Sequence, residues 1–290
     1  TPDGSPMTLP AATRMGPVRL VAHDIDALTA FYARVLGLEV IERGRSLARL
    51  GAGGEALVEL EAGKGAPVPA ARATGLFHLA LLVPDRAELA RALHRVARAG
   101  WGFTGASDHL VSEALYLDDP EGNGIEVYRD RPRDEWRRSA DGELEMATLP
   151  LDVEAVLGAL PGEAGDAGMP DGTVVGHVHL RVSDLAAADA FYVGALGFAA
   201  TVRGYPGALF VAAGGYHHHL GLNTWGSRGA PAPPPGARGL ARYRVELPDP
   251  ASLDAAAARL SDAGHAVTAR ADGVLVADPA GNRVLLAGTA

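Results

Sequence analysis

Histidines and carboxylates are the residues of this sequence whose types and spacing could hold a metal ion. The segment GGYHHHLGLNTW, residues 214–225, contains three of the ten histidines, and His78, Glu126 and His177 lie in segments that read as strands. The chain has no cysteine, so thiolate ligands and disulfides are excluded. A metal must therefore be held by histidine, aspartate, glutamate and water. Two histidines and one carboxylate on one side of a metal are the ligand set of non-haem Fe(II) oxygen chemistry.

Internal repeats indicate the elements that would position these residues. DALTAFYARVLGLEV (26–40) returns as AAADAFYVGALGFAA (186–200), and DDPEGNGIEVY (118–128) returns as ADPAGNRVLLA (277–287). Each half divides again into two units, in which an alternating strand precedes a helix-patterned stretch and glycine-punctuated strands. The sequence therefore predicts four βαβββ modules of an α+β fold, at residues 16–61, 75–128, 173–224 and 239–287. We expect the halves to be 16–128 and 173–287, joined by a linker, 129–172, that contains a short helix.

Counting along the repeats shows which modules can share a metal site. His78 and His177 each stand seven residues before an aspartate, Asp85 and Asp184, so they occupy equivalent strand positions. The first and fourth modules place other residues at the positions equivalent to these histidines and to Glu126, namely Pro17, Glu59, Arg242 and Leu285. Only modules two and three together supply two histidines and a carboxylate. We therefore expect modules two and three to pair, and modules one and four to pair, each pair building one cupped mixed sheet.

Strand alternation predicts which faces carry these side chains. Alternate residues of a strand share a face. In the strand of His78, residues Phe77, Leu79, Leu81 and Val83 are expected to face the core, with His78 opposite. Glu126 and His177 are likewise expected on the faces turned away from the core. In the histidine run, alternation groups His217 with His219, and His218 with Leu220, unless a bulge near Gly214-Gly215 shifts the pattern.

Composition excludes several classes of function. The 290 residues carry a formal net charge of −9 and no long basic run, which disfavours binding to nucleic acid or to an anionic membrane. No stretch of about 18 apolar residues could span a bilayer. The first residues, TPDGSPMTLP, lack the basic and apolar regions of a signal peptide, so we expect a cytoplasmic protein.

Three segments resemble a known family. HLVSEALYLDDPEGNGIEVY (109–128) is similar to the signature of type I extradiol ring-cleavage dioxygenases of the catechol 2,3-dioxygenase kind, and HVHLRVSD and YHHHLGLN fit the same family. The βαβββ repeats resemble the wider vicinal oxygen chelate superfamily, which also contains glyoxalases and bleomycin resistance proteins. The resemblance implies two cupped sheets, a catecholic substrate, O₂, and Fe(II) as the metal; the same ligands would also suit Mn(II).

The resemblance also implies roles for individual residues. His78, Glu126 and His177 match the metal ligands of the family. Tyr116 matches an active-site tyrosine that hydrogen-bonds a substrate oxygen, and His109 matches a histidine of the second sphere. His218 matches the acid–base histidine by its position before His-Leu-Gly-Leu, with His219 as the next candidate.

Two other functions stay open on the same fold. A glyoxalase-like lyase or isomerase would recruit Glu59 together with His78 and Glu126, and would prefer Ni(II), Zn(II) or Mn(II); Pro17 counts against it. A resistance protein that sequesters an aromatic drug would usually lack the ligand triad. In every case the partner is a small aromatic molecule or related substrate, with no nucleic acid and no membrane, and a homo-oligomer is compatible with the sequence.

Overall fold

The computed structural model describes residues 8–140, 142–162 and 168–289 and contains two mixed β-sheets. The strands, in chain order, are β1 Arg14–Ala22, β2 Glu39–Arg43, β3 Leu47–Ala52, β4 Glu55–Ala62, β5 Gly75–Leu82, β6 Gly105–Asp108, β7 Ser112–Asp118, β8 Gly124–Asp130, β9 Leu149–Pro150, β10 Val174–Arg181, β11 Ala199–Val202, β12 Ala208–Ala212, β13 Leu220–Asn223, β14 Gly239–Leu247, β15 Thr268–Arg270, β16 Gly273–Ala277 and β17 Arg283–Gly288. The helices are α1 Ile25–Arg34, α2 Arg86–Arg98, α3 Val153–Leu157, α4 Leu185–Asp189 and α5 Pro250–Asp262, with a 3-10 turn at Arg133–Glu135 and a π-helical segment, Ala190–Leu196, that continues α4.

The order of the strands shows how the modules pair. The first sheet has the order β15-β16-β17-β14-β1-β4-β3-β2, and the second has the order β11-β12-β13-β10-β5-β8-β7-β6-β9. An antiparallel β1–β14 pair joins modules one and four, and an antiparallel β5–β10 pair joins modules two and three. Within each module the first strand pairs in parallel with the last. The predicted α+β fold of two curled sheets, with modules two and three paired and one and four paired, is confirmed.

The four aspartates that follow the first strand of each module begin its helix. The side chains of Asp24, Asp85, Asp184 and Asp249 each accept a hydrogen bond from a backbone N–H in the first turn. An N-cap of this kind satisfies an amide that has no partner inside the helix, and contributes about 1 kcal/mol. The aspartates therefore hold the end of each first strand at the same position relative to its helix, which is why counting back from them gives equivalent strand positions.

In both halves of the chain, the repeated Phe-Tyr motif is hydrogen-bonded to the repeated Asp-Pro motif. Tyr32, from the first Phe-Tyr repeat, donates to the buried carboxylate of Asp119 at 3.2 Å, and Tyr192 donates to Asp278 at 2.8 Å. Asp119 also accepts from the backbone N–H of Asn123 at 2.9 Å, which closes the turn before β8. A buried carboxylate needs such donors because burial without them is costly. The helical segments of modules one and three are thus hydrogen-bonded to the turn before the last strand of the following module.

The hydrophobic core is continuous across both sheets and the helices. Leu20 in β1, Leu79 in β5, Val178 in β10 and Tyr243 in β14 are all fully buried within it. Burying a side chain of this size contributes about 1.5–3 kcal/mol. Because one face of each sheet packs in this core, the side chains of the opposite face can line a cavity or a surface.

The segment predicted as a linker, 129–172, contains more structure than a connection needs. The short helix expected there is α3, but β9 also lies in it and pairs antiparallel with β6. Residues 141 and 163–167 of this segment lie outside the described residues, as do residues 1–7, for which no signal peptide is expected. The segment therefore adds an edge strand to the second sheet, and its residues 146–148 reach the cavity described next.

Candidate metal centre and substrate cavity

A cavity of about 350 Å³ lies against the second sheet, on the face turned away from the core. Its walls include all six residues predicted to act in the site, namely His78, His109, Tyr116, Glu126, His177 and His218. Apolar and aromatic side chains complete them, among which are Phe77, Leu117, Met146, Phe210 and Trp225. An apolar cavity with a few converging polar groups is the usual form of a site for a small ligand.

Three of the six residues converge on one point. His78 Nε2 lies 2.9 Å from Glu126 Oε2, and His177 Nε2 lies 3.0 Å from the same oxygen. The two nitrogens are 3.3 Å apart. The strands fix this arrangement, because β5 lies between β8 and β10 in the sheet and its faces alternate in step with theirs.

Burial and neighbouring groups set the charges of His177 and Glu126. Burial lowers the pKa of His177 to about 4, despite the opposing attraction of Glu126. Its ring is therefore neutral at neutral pH, the form in which imidazole binds a metal. Burial alone would raise the pKa of Glu126, but the partners His177 and His78 lower it well below its usual range. The cluster thus presents a neutral imidazole nitrogen of His177 and a carboxylate oxygen of Glu126, together with Nε2 of His78.

The donor set fits a divalent cation. The ligand atoms of His78, Glu126 and His177 all lie within 4.8 Å of one another, and all three residues are buried. Two nitrogens and one anionic oxygen on one side of an ion leave positions open toward the cavity, and this ligand type suits Fe(II) and Mn(II). In one respect the site departs from common metal sites: His177 Nδ1 is buried without a protein partner among the described residues, where a ligand histidine commonly donates its second N–H.

Tyr116 and His109 form a hydrogen-bonded pair at the edge of the cavity. Tyr116 in β7 is paired across the strands with Glu126 in β8, so its ring extends over the cluster. Its hydroxyl lies 2.7 Å from His109 Nε2, and His109 Nδ1 lies 2.7 Å from the carbonyl oxygen of Ala147. Because a carbonyl can only accept, His109 carries its proton on Nδ1 and accepts the Tyr116 hydroxyl at Nε2. Burial and the charge of Glu126 raise the pKa of Tyr116, so the phenol stays protonated.

The histidine run does not lie in a strand, contrary to the alternation argument. Gly214 and Gly215 have φ values of 60° and 68°, a left-handed turn that glycine adopts without strain, and β13 begins only at Leu220. The turn, rather than a bulge in a strand, sets the directions of the three rings. His218 borders the cavity with its ring centroid 4.2 Å from that of His177, whereas His219 does not border it.

One residue expected in the core faces the cavity instead. Residues His78 and Leu76 of β5 pair with the successive residues His179 and Leu180 of β10, so Phe77 is an extra residue at a bulge. The expectation that Phe77 packs in the core is therefore wrong: Leu76 does so, while Phe77 borders the cavity. The expected core positions Leu79, Leu81 and Val83 are confirmed.

Other cavity residues carry little signal in the sequence. Met146 and Thr148 come from the connecting segment, which has no repeat partner that would point to the site. Arg181 does follow the alternation of His177 and His179, and its guanidinium carbon lies 5.5 Å from the centre of the Phe77 ring.

The ligand set of the glyoxalase-like alternative is not assembled. Glu59 lies in the first sheet and pairs with Arg19 at 2.7 Å and with Arg49 at 3.1 Å. His78 and Glu126 lie in the second sheet. In the first sheet, the position that corresponds to Glu126 is thus occupied by a glutamate in ion pairs with two arginines.

Comparison with known proteins identifies the family. The model of the Glyoxalase/Bleomycin resistance protein/Dioxygenase superfamily matches residues 14–127 and 174–286. The chain belongs to this superfamily. Within it, the chain is 44% identical over 274 residues to a protein of Bacillus subtilis (strain 168) named Catechol-2,3-dioxygenase, covering 92% of this chain and 94% of that protein. The resemblance stated from the sequence is confirmed.

Solved structures support the superfamily fold. A Bacillus subtilis protein provisionally named a dioxygenase aligns with a TM-score of 0.67 at 13% identity, covering 97% of this chain and 86% of that one. Glyoxalase I from Zea mays aligns with a TM-score of 0.59 at 17% identity, covering 95% and 92%. At these identities the likeness concerns the fold alone. Within the described residues, no helix has the length and apolar character needed to cross a bilayer.

Proposed function

We propose that this protein is an extradiol ring-cleavage dioxygenase that opens a catechol beside its two hydroxyl groups, using O₂ and a bound ferrous ion. The observation that carries the proposal is the convergence of His78, Glu126 and His177 in the cavity that also contains Tyr116 and His218. The superfamily includes dioxygenases, and the 44% identical relative is named Catechol-2,3-dioxygenase. The aromatic walls of the cavity are compatible with a flat ring.

The proposed ligands are His78, Glu126 and His177, which would hold Fe(II), or Mn(II) in its place. When bound, the ion would lower the pKa of the catechol hydroxyls and bring the diol and O₂ together. The metal-binding roles of these residues rest on the geometry of the cluster and on their match to the family.

The remaining polar residues of the cavity would accept a proton from the substrate and orient it by hydrogen bonds. His218 would accept a hydroxyl proton of the catechol as it binds, because burial lowers the pKa of its imidazole and keeps the ring neutral. Tyr116, whose hydroxyl hydrogen is donated to His109, would accept a hydrogen bond from a substrate hydroxyl at its phenol oxygen. His109 would orient Tyr116 through the 2.7 Å hydrogen bond to its hydroxyl. Residues 146–148 and Trp225 would help to keep bulk water from the ring.

A ring-cleavage assay tests the proposal. The purified protein is freed of metal with a chelator, loaded with Fe(II) without oxygen, and mixed with catechol and air. We expect oxygen consumption and a yellow ring-opened semialdehyde. Glu126→Ala and His177→Ala should lose both bound iron and activity, whereas His23→Ala, at an exposed histidine, should keep both.

Two results would contradict the proposal. One is stoichiometric iron binding without oxygen uptake across a panel of substituted catechols. The other is full activity of Glu126→Ala with an unchanged iron content.

The cytoplasmic location, the oligomeric state and the domain boundaries expected from the sequence stay predictions.

A further inference from the structure

His217 is fully buried, does not border the cavity, and uses both of its ring nitrogens. Its Nε2 lies 2.9 Å from Asp130 Oδ1, and its Nδ1 lies 2.7 Å from Nδ1 of His218. The Asp130 side chain is 26% exposed at the end of β8. A hydrogen-bonded chain of three side chains therefore runs from the protein surface to the cavity.

The donor and the acceptor of each hydrogen bond between these three side chains can be assigned. A carboxylate only accepts hydrogen bonds, so His217 carries its proton on Nε2 and donates it to Asp130. When His217 carries this one proton, its Nδ1 is an acceptor, and the 2.7 Å contact requires His218 to donate from its own Nδ1. His218 is left with an unprotonated Nε2 as the ring nitrogen available to the cavity.

The carboxylate at the outer end of the chain is itself held in place. Tyr216 donates its hydroxyl to Asp130 Oδ1 at 3.2 Å, and the Tyr128 hydroxyl lies 2.7 Å from that of Tyr216. Tyr128 is fully buried and fits because Gly176 has no side chain: a Cβ there would lie 1.8 Å from the Tyr128 hydroxyl. Two buried tyrosine side chains thus help to fix the oxygen that faces His217.

We propose that Asp130 and His217 are positioning residues, which hold His218 as the tautomer whose Nε2 can accept a proton from the substrate. The inference rests on the proposed function for its catalytic meaning, but the tautomer itself does not depend on it. The hydrogen bond at one nitrogen of an imidazole determines which nitrogen carries the proton. If the direction of donation along Asp130, His217 and His218 were reversed, His218 would present an N–H to the cavity and could not take the proton.

Asp130→Asn is the first test, because it keeps the size of the side chain and removes its charge. The amide N–H₂ can donate to His217, which would reverse every donor and acceptor along the chain. In a Ser-His-Asp triad, the same exchange leaves the geometry intact and lowers kcat by about 10⁴ through the wrong tautomer. We expect kcat with catechol to fall at least about a hundredfold, within the range of general acid–base catalysis, while KM and the iron content change little.

A matched pair at His217 is the second test. His217→Gln keeps one donor and one acceptor in the side chain, and should retain much of kcat. His217→Leu removes both and should behave like Asp130→Asn. His219→Asn is the control, since His219 is the adjacent buried histidine and takes no part in the chain; it should keep the wild-type kcat.

The readout that does not depend on activity is the tautomer of His218 in the metal-free protein. Two-bond ¹H–¹⁵N correlation spectra of the histidine rings show which nitrogen is protonated. We expect Nδ1–H in the wild type and Nε2–H in Asp130→Asn. Nε2–H in the wild type, or the same tautomer in both proteins, would overturn the inference. A wild type that shows the Asp130-dependent Nδ1–H tautomer but cleaves no catechol would uphold the positioning and count against the proposed function alone.

Discussion

The stability of the protein should depend on pH through His219, a buried histidine of the run that does not border the cavity. Its side chain is 8% exposed, and its Nδ1 accepts a hydrogen bond from the backbone N–H of Ala213 at 3.2 Å. Burial, helped by the neighbouring His217 and His177, lowers its pKa from the ordinary 6.5 to about 4. Protonation at Nδ1 would also remove the acceptor for Ala213. His219 is therefore neutral in the native protein at a pH where the unfolded chain is protonated.

The sign and size of the effect follow from this difference. Between pH 6.5 and about 4, the unfolded state binds one more proton at His219 than the native state does. The free energy of unfolding then rises with pH by about 1.4 kcal/mol per pH unit in this window, and is lost as the pH falls. Over the whole window His219 accounts for about 3 kcal/mol, a large part of the stability of an ordinary domain.

Urea denaturation of the metal-free protein at several pH values between 4.5 and 7 measures this slope. His219→Asn replaces the imidazole with an amide whose oxygen can still accept from Ala213, so the variant should fold. We expect its slope to be smaller than that of the wild type by about 1.4 kcal/mol per pH unit, with ring-cleavage activity retained. His23→Asn, at an exposed histidine, should leave the slope unchanged. Equal slopes in the wild type and His219→Asn would refute the reasoning.

Three further predictions concern the metal cluster and its supporting strands. Fe(II) or Mn(II) at about 100 times its Kd should raise the free energy of unfolding by about 2.7 kcal/mol, and Glu126→Ala should abolish the rise in a thermal-shift assay. Gly124→Ala places a Cβ 2.2 Å from the backbone oxygen of Phe77, so it should cost about 1–3 kcal/mol and weaken metal binding in a titration; wild-type affinity would argue against this contact. Leu79→Ala, in the core beside the cluster, should cost about 2–5 kcal/mol in urea denaturation while the folded fraction still binds metal.

The pairing of the modules could be predicted because the repeats carry their own reference points. The helix-capping aspartates, such as Asp85 and Asp184, occur at a constant distance from the first strand of each module. Counting from them places His78 and His177 at equivalent positions, and only modules two and three together supply two histidines and a carboxylate. The structure joins those modules through β5 and β10 and brings one carboxylate oxygen of Glu126 within 3.0 Å of a ring nitrogen of each histidine.

The predictions of side-chain direction for Phe77 and for the histidine run were wrong because the backbone is irregular at both places. Alternation of faces holds only within an unbroken strand, so it failed at the bulge that turns Phe77 toward the cavity and at the turn that carries the histidine run. Nothing in the residues 129–172 indicated that β9 would extend the second sheet, because a strand of two residues has no pattern of its own.

The sequence by itself determined the repeated modules and their pairing, and it predicted the residues proposed to ligate a metal, since these follow from local periodicity and from distances counted along the chain. Only the tertiary structure decided which ring of His217, His218 and His219 meets the cavity, and what the other two contact. The reason is physical: the direction of a side chain in a turn depends on a few backbone dihedral angles and on partners distant in sequence. Asp130 is such a partner, 87 residues before His217 in the chain.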